Sequence, residues 1–421
     1  MLVFKFGGAS VKSAEAVKNM AGILSRFREP VVVVVSAMGK TTNALERVVE
    51  WYVSRDEKKL SDEFAQVKDY HLQIMSGLFP DIHSAACDRV HSLFAELSER
   101  LKRTPALNYD FDYDQIVSYG ELISTAIIAG YLKEVEQLPC RWIDVREAIK
   151  TDNNYREGRV DWQLTSRLVP ELFKFAPDRL LITQGFLGST ENNLTTTLGR
   201  EGSDYTAAIL AYALHAESVT IWKDVPGVLN ADPKWFDDTV LLEQLSYLDA
   251  IELAYYGASV IHPKTIQPLQ NRDIRLYVRS FLNPEAPGTM IGNLSYEKLV
   301  PSFIFKMNQV LLRISPHDFS FIAEHNLELI FRIINKHGAR INLMQNSAVS
   351  FQVCTGFDPR KTEPLVKELS EHFKVMREDN LELITIRYFD ESTIARVMQN
   401  KELILEHRGT QNIQLVVRDL G

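Results

Sequence analysis

Cysteine is scarce in this sequence, and the three present, Cys87, Cys140 and Cys354, lie far apart with no CxxC pair. That excludes a disulfide framework or a cysteine zinc site and leaves each as a small apolar residue suited to the interior. Long apolar runs are missing too. The first, Leu2-Val-Phe, is cut short at Lys5 and cannot serve as a secretory leader. None approaches the roughly 20 residues that cross a bilayer. Nor is there an excess of positive charge: 47 Lys and Arg against 55 Asp and Glu give −8, which argues against nucleic acid and anionic membrane as partners. These absences point to a cytoplasmic protein. What is there, 45% hydrophobic and 24% charged residues over 421 positions, suits a soluble globular chain of two or three domains.

The most informative stretch is Thr195-Thr-Thr-Leu-Gly-Arg-Glu-Gly-Ser-Asp204, a polar turn with two glycines opening into the apolar helix 204–214. Glycines permit close approach of backbone to a ligand, and the free N–H groups of a helix start attract anions. Arg200 supplies a planar fork for a carboxylate or phosphate. Asp204, at the helix mouth, is suited to hold a lysine or a metal-bound phosphate. A plainer reading remains open, in which Ser203 or Asp204 caps the helix.

Before that turn, Leu2–Phe6 reads as a strand, Gly7-Gly8-Ala-Ser10 as a turn, 13–27 as a helix and Val31–Val35 as a buried strand. That order makes a βαβ unit with a parallel sheet. Lys5 is a charge in an apolar strand end, facing either an anion or solvent. Gly39-Lys40-Thr41 imitates the end of a Walker A loop, but position 34 is valine where that motif needs glycine. Ser36, Thr41 and Thr42 read either as hydroxyls lining a ligand site at a strand end or as an ordinary polar turn. Residues 44–103 are helix-forming, and Tyr109–Asp114 reads as a loop. On the helix that follows, Glu121 is either solvated or turned inward toward a substrate ammonium. Further strands are expected at 142–145, 179–183 and 218–222. The loop Lys223–Lys234 after the last of them could cover a nucleotide, with Asp224 and Lys234 near base or phosphates. The segments 256–264 and 275–280 complete this core.

Asn283-Pro-Glu-Ala-Pro-Gly288 reads as a domain boundary. Beyond it the pattern gives strands at 309–314, 339–343, 349–354 and 381–388 with helices at 323–336 and 360–373. A shorter copy follows, with a helix at 391–398 and strands at 402–406 and 412–417. The tail is thus a βαββαβ module and an abbreviated repeat.

Six segments, Lys5-Phe-Gly-Gly-Ala-Ser, Ser36-Ala-Met-Gly, Gly120-Glu121, Thr197-Leu-Gly-Arg-Glu-Gly-Ser-Asp204, Lys223-Asp-Val-Pro-Gly-Val and Gly257-Ala-Ser-Val-Ile-His-Pro263, resemble aspartate kinases in order and spacing. The resemblance implies an amino acid kinase fold, an αβα sandwich on a mainly parallel sheet over 1–290, with 44–110 as a largely helical insertion. It also implies two ACT-like α+β units over 300–421: 308–380, then 300–307 with 381–421. The activity implied is ATP- and Mg2+-dependent phosphorylation of L-aspartate to 4-phospho-L-aspartate, a step toward lysine, threonine and methionine. By motif match, Lys5 would contact the transferring phosphate and Asp204 would position it. Ser36, Thr42, Glu121, Arg200 and Ser203 would bind aspartate, with Arg200 on the α-carboxylate and Glu121 on the ammonium. Lys5, Gly7, Gly8, Ser10, Lys223, Asp224, Leu229, Lys234 and Ser259 would bind ATP, and no protein-held metal is implied. A homodimer through the ACT units, or a tetramer, and an amino-acid effector are implied as well.

The sequence departs from that pattern at Ser259 (usually lysine), Lys223 (commonly threonine) and Glu201 (usually glycine), all on the nucleotide side. Asn342 and Ala348 stand where lysine-inhibited members tend to carry acids. Two other functions stay open: an amino-acid sensor without turnover, and a sister kinase acting on glutamate or N-acetylglutamate, against which the acid Glu121 speaks.

Overall fold

A computed structural model of the chain describes residues 1–81, 83–258, 261–295, 300–318 and 320–421. It divides into two compact units. The first comprises 1–228, 241–251 and 260–295, and the second 229–240, 252–259 and 296–421.

The first unit begins with strand β1 (Leu2–Phe6), helix α1 (Ala14–Ser25), capped by the Ser13 hydroxyl, and strand β2 (Val31–Val35). Helices α2 (Thr41–Ser54), α3 (Glu57–Leu78), α4 (Ala85–Leu101), α5 (Tyr109–Val117) and α6 (Tyr119–Gly130) follow. Then come β3 (Cys140–Ile143), α7 (Trp162–Leu172), β4 (Leu180–Gln184) and the hairpin strands β5 (Leu187–Ser189) and β6 (Thr195–Thr197). Helix α8 (Gly202–Leu214), β7 (Ser218–Lys223), β8 (Gln244–Ser246), helix α9 (Tyr247–Tyr256), α10 (Pro263–Gln270), β9 (Arg275–Ser280) and β10 (Thr289–Gly292) complete the chain to the end of this unit. The last five residues of α9 count with the second unit.

Eight strands form one sheet in the order β3-β4-β2-β1-β7-β9-β10-β8, parallel throughout except for the β9–β10 pair. All five valines of β2 are buried. That demands cover on both faces, the condition under which a five-valine run is stable as a strand. Among the covering helices, α6 packs on β3 and β4, and α8 on β1 and β7. Because β1, β2, β4 and β7 run the same way, the segments leaving their carboxyl ends gather at one sheet edge, where open α/β sheets bind ligands.

Tyr109–Asp114 is not a loop but the first part of α5. The strict alternation of Tyr109, Phe111 and Tyr113 with three aspartates hides helical periodicity. Asn108 overrides it: its side chain accepts from the N–H groups of Asp110 and Phe111, and two acids sit in the first turn, complementing the helix dipole.

In the second unit, strands β11 (Ser302–Ser315), β12 (Ile341–Asn346), β13 (Phe351–Gly356), β14 (Lys374–Arg387), β15 (Lys401–Arg408) and β16 (Asn412–Asp419) form one antiparallel sheet, ordered β12-β13-β11-β14-β16-β15. Helices α11 (Glu324–Lys336) and α12 (Pro359–His372) bury their apolar stripes on Val310, Leu312, Ile314 and Val353. Helix α13 (Glu391–Val397) covers Ile384, Ile386, Ile413 and Leu415. Strands β11 and β14 are each 14 residues, longer than expected, and serve both halves; their pairing shifts register between Lys306 and Gln309. No helix among the described residues is long and apolar enough to cross a membrane.

Candidate active site

Lys5 is the last charged residue before the end of β1, and the pleat turns it into the protein rather than toward water; it is 8% exposed. Its Nζ lies 2.7 Å from Oδ1 of Asp204, in the first turn of α8, while Lys223 Nζ, at the end of β7, lies 3.5 Å from Oδ2. Burial opposes the Asp204 charge, but the two ammonium groups outweigh it and hold the carboxyl below its usual range. Two cations sharing one anion leave one positive charge in surplus. It faces a cleft of about 820 Å³ lined by Lys5, Ser36, Thr42, Glu121, Arg200, Ser203, Asp204 and Lys223.

The turns leaving β1 and β2 meet beside Lys5. Gly39 N–H donates to Gly8 O at 3.0 Å. A Cβ on Gly8 would lie 2.7 Å from the Gly39 carbonyl oxygen and 2.8 Å from Ala37 O, so only glycine fits. A Cβ on Gly7 would stand 3.3 Å from Lys5 Nζ. Ser10 is buried with its hydroxyl on the Trp222 carbonyl, tying this turn to β7.

On α6, Glu121 is 2% exposed. Its Oε1 accepts from Ala37 N–H at 3.2 Å, and its Oε2 is buried with no hydrogen-bond partner among the described residues. Burial pushes its pKa up to about 8, against the Ala37 bond and the Lys5 charge. A buried oxygen without a donor, in a cleft wall, suits an incoming cation. Thr42 and Glu46, four apart on α2, face the same cleft, and Glu46 accepts from the Tyr113 hydroxyl at 2.7 Å.

Arg200 reaches the cleft from the turn between β6 and α8. Gly199 has φ +76 and Glu201, at the N-cap position, φ +54, both left-handed. Among the described residues no side chain caps α8. The capping reading of Ser203 or Asp204 therefore does not hold, and the first N–H groups of α8 lack a side-chain acceptor. Glu201 occupies a conformation that favours glycine, and its Oε2 is buried without a partner among the described residues.

Of the other residues singled out in the sequence, Asp224 is exposed and, like Gly7, Gly8 and Ser10, does not line the cleft. Leu229 and Lys234 belong to the second unit and are not among the lining residues. Ser259 lies outside the described residues. The structure adds Tyr113, Asn154, Tyr155, Arg156, Glu157 and Phe186 to the wall. Arg156 lies over the Tyr113 ring at 4.4 Å and pairs with Asp110 at 3.3 Å. Only the run of turn-forming residues at 152–158 hints at this loop, and nothing local ties it to the cleft.

The family model of the amino acid kinase family matches residues 1–280. Lysine-sensitive aspartokinase 3 of Escherichia coli (strain K12) is 32% identical over 403 residues, covering 92% of this chain and 86% of the relative. The bifunctional aspartokinase/homoserine dehydrogenase 2 of Arabidopsis thaliana is 29% identical over 91% of this chain, which spans only 43% of that relative's length. Crystal structures of E. coli aspartokinase III, one with aspartate and ADP (R-state) and one with lysine and aspartate (T-state), superpose with TM-scores of 0.82 and 0.83. Each is 28% identical and covers 99% of this chain and 96% of theirs.

Proposed function

The chain belongs to the amino acid kinase family, and from that premise we propose that it is an aspartate kinase: it transfers the γ-phosphoryl group of ATP to the side-chain carboxylate of L-aspartate, giving 4-phospho-L-aspartate and ADP, on the route to lysine, threonine and methionine. The observation that carries this reading is the convergence in one cleft of the Lys5–Asp204–Lys223 cluster, the unpartnered Glu121 oxygen and Arg200.

In this reading Arg200 pairs with the α-carboxylate of aspartate and Glu121 with its ammonium, while Ser36, Thr42 and Ser203 bound the side chain. The side-chain carboxylate attacks phosphorus as the bond to the ADP oxygen breaks. It is already ionised, so no general base is needed. Asp204, saturated by two lysines, holds Lys5 against the equatorial oxygens as charge moves onto them. Lys223 lies on the nucleotide side of the cleft, and Gly7, Gly8, Ser10 and Asp224, outside its lining, would meet the nucleotide beyond it. Magnesium would arrive with the nucleotide and supply neutralisation of the phosphate charge, beside what Lys5 and Lys223 provide. Among the described residues no group of three His, Cys, Asp or Glu side chains is placed to hold a metal ion.

The second unit is assigned to amino-acid effector binding and to assembly. Its edge strand β12 leaves one row of main-chain groups available for a second copy, which supports a homodimer or, by a further contact, a tetramer. The acidic, cysteine-poor composition supports a cytoplasmic location.

A coupled ADP-release assay with aspartate, ATP and magnesium tests the reading. Lys5→Ala is expected to lower kcat by about 10²–10³. Absence of turnover in the wild type would favour a sensor, and faster phosphorylation of glutamate or N-acetylglutamate would overturn the substrate.

A further inference from the structure

We propose that Asp114 is a positioning residue: its buried carboxylate fixes the strand that delivers Arg200 to the cleft. The proposal rests on the reading of Arg200 as the carboxylate clamp.

Among the described residues, strand β6 is paired on one side only, with β5. Its other edge would strand buried main-chain groups, a costly state. Two adjacent side chains of α5 fill that edge as a third strand would. Gln115 Nε2 donates to Thr195 O at 2.7 Å, and Thr195 N–H donates to Gln115 Oε1 at 3.2 Å. Thr197 N–H donates to Asp114 Oδ2 at 2.9 Å, and its hydroxyl to Oδ1 at 2.7 Å. The last free group of this edge, Thr197 O, accepts from Gly158 N–H at 2.8 Å.

Asp114 does more than close the edge. Its Oδ2 also accepts from Arg156 N–H at 2.9 Å, so one carboxylate ties α5, β6 and the 154–158 loop together. Both tied segments border the cleft, and Gly199-Arg200 begins two residues after Thr197. Arg200 itself is exposed. Its reach into the cleft is therefore set by its backbone, and its backbone by Thr197. Asp114 is fully buried and its pKa is raised by burial to about 6, so three donors face an ionised acceptor at neutral pH.

The test uses the full chain. Asp114→Ala leaves three donors unmatched and is expected to raise the aspartate KM about tenfold with the ATP KM within about twofold. Asp114→Asn keeps an acceptor for both N–H groups and lets the Thr197 hydroxyl turn to accept, so it recovers most of the loss. Thr197→Val removes a single bond and raises the same KM about threefold, which keeps the proposal testable if Asp114→Ala folds poorly. Amide exchange at Arg156 and Thr197 quickens in Asp114→Ala. The proposal is overturned if both KM values rise together, if only the active fraction falls, or if exchange at these two amides is unchanged. A wild type that does not phosphorylate aspartate sinks the function reading alone, because the exchange rates still decide whether Asp114 holds the strand.

Discussion

At Glu121 a carboxyl group sits where water does not reach it, beside Lys5 yet neutral up to about pH 8. A substrate ammonium is bound best by the ionised form. The aspartate KM should therefore fall as pH rises from 6 through 8, and Glu121→Gln should weaken binding and flatten the profile. Stability runs the other way. The folded pKa lies above the ordinary 4.5, so the folded state holds the extra proton, and stability of the unliganded protein declines from 4.5 upward and levels off above about 8. Thermal melts at pH 8 should accordingly show Glu121→Gln more stable than wild type; an unchanged Tm would contradict the assigned burial penalty. Glu201 makes a second conflict. Its left-handed backbone costs a non-glycine residue about 1 kcal/mol, and its acid lines the cleft. Glu201→Gly is expected to raise Tm and lower the ATP KM, measured by melting and by initial rates. Lys5, Glu121, Arg200 and Asp204 were legible in the sequence because each is a charge set against glycine or an apolar run. Asp114 was not, because its partners lie 42 and 83 residues away and no local pattern marks them.

Among the elements, α5 shows how a capping residue can decide what periodicity obscures. Residues 109–114 alternate aromatic and acid, which imitates strand or loop, and the deciding signal was the single Asn108. Asn108→Ala should cost about 1 kcal/mol by denaturant melt. Because α5 carries Asp114 and Gln115, it should also raise the aspartate KM slightly. The buried strands β1, β2, β4 and β7 were readable as apolar runs between turn signals. The full length of β11 and β14 was not, since Lys306-Met-Asn-Gln309 and Lys374–Glu378 are polar enough to look like strand ends. The register shift between Lys306 and Gln309 explains the first: residues there leave the regular ladder, and Lys306 Nζ turns to Asn342 Oδ1 at 2.9 Å.

For the whole molecule, two side chains of the second unit bear on the effector proposed for it. Asn342 is neutral and already bonded to Lys306 and Gln309, and Ala348 offers no acceptor side chain, so neither supplies a carboxylate for a lysine side chain. A ligand at 100 times its Kd adds about 2.7 kcal/mol to apparent stability, a readable change in Tm. In a thermal-shift panel of lysine, threonine and methionine, lysine is expected to give the smallest shift. The paired use of β11 and β14 has a last consequence, for engineering and for inheritance alike. Since the two halves of the 302–419 sheet are cut from the same pair of long strands, neither can be excised, swapped between homologues or lost alone without opening the other's interior. Chimeras joined inside this span should misfold, and whatever specificity it carries must pass from protein to protein as one indivisible block.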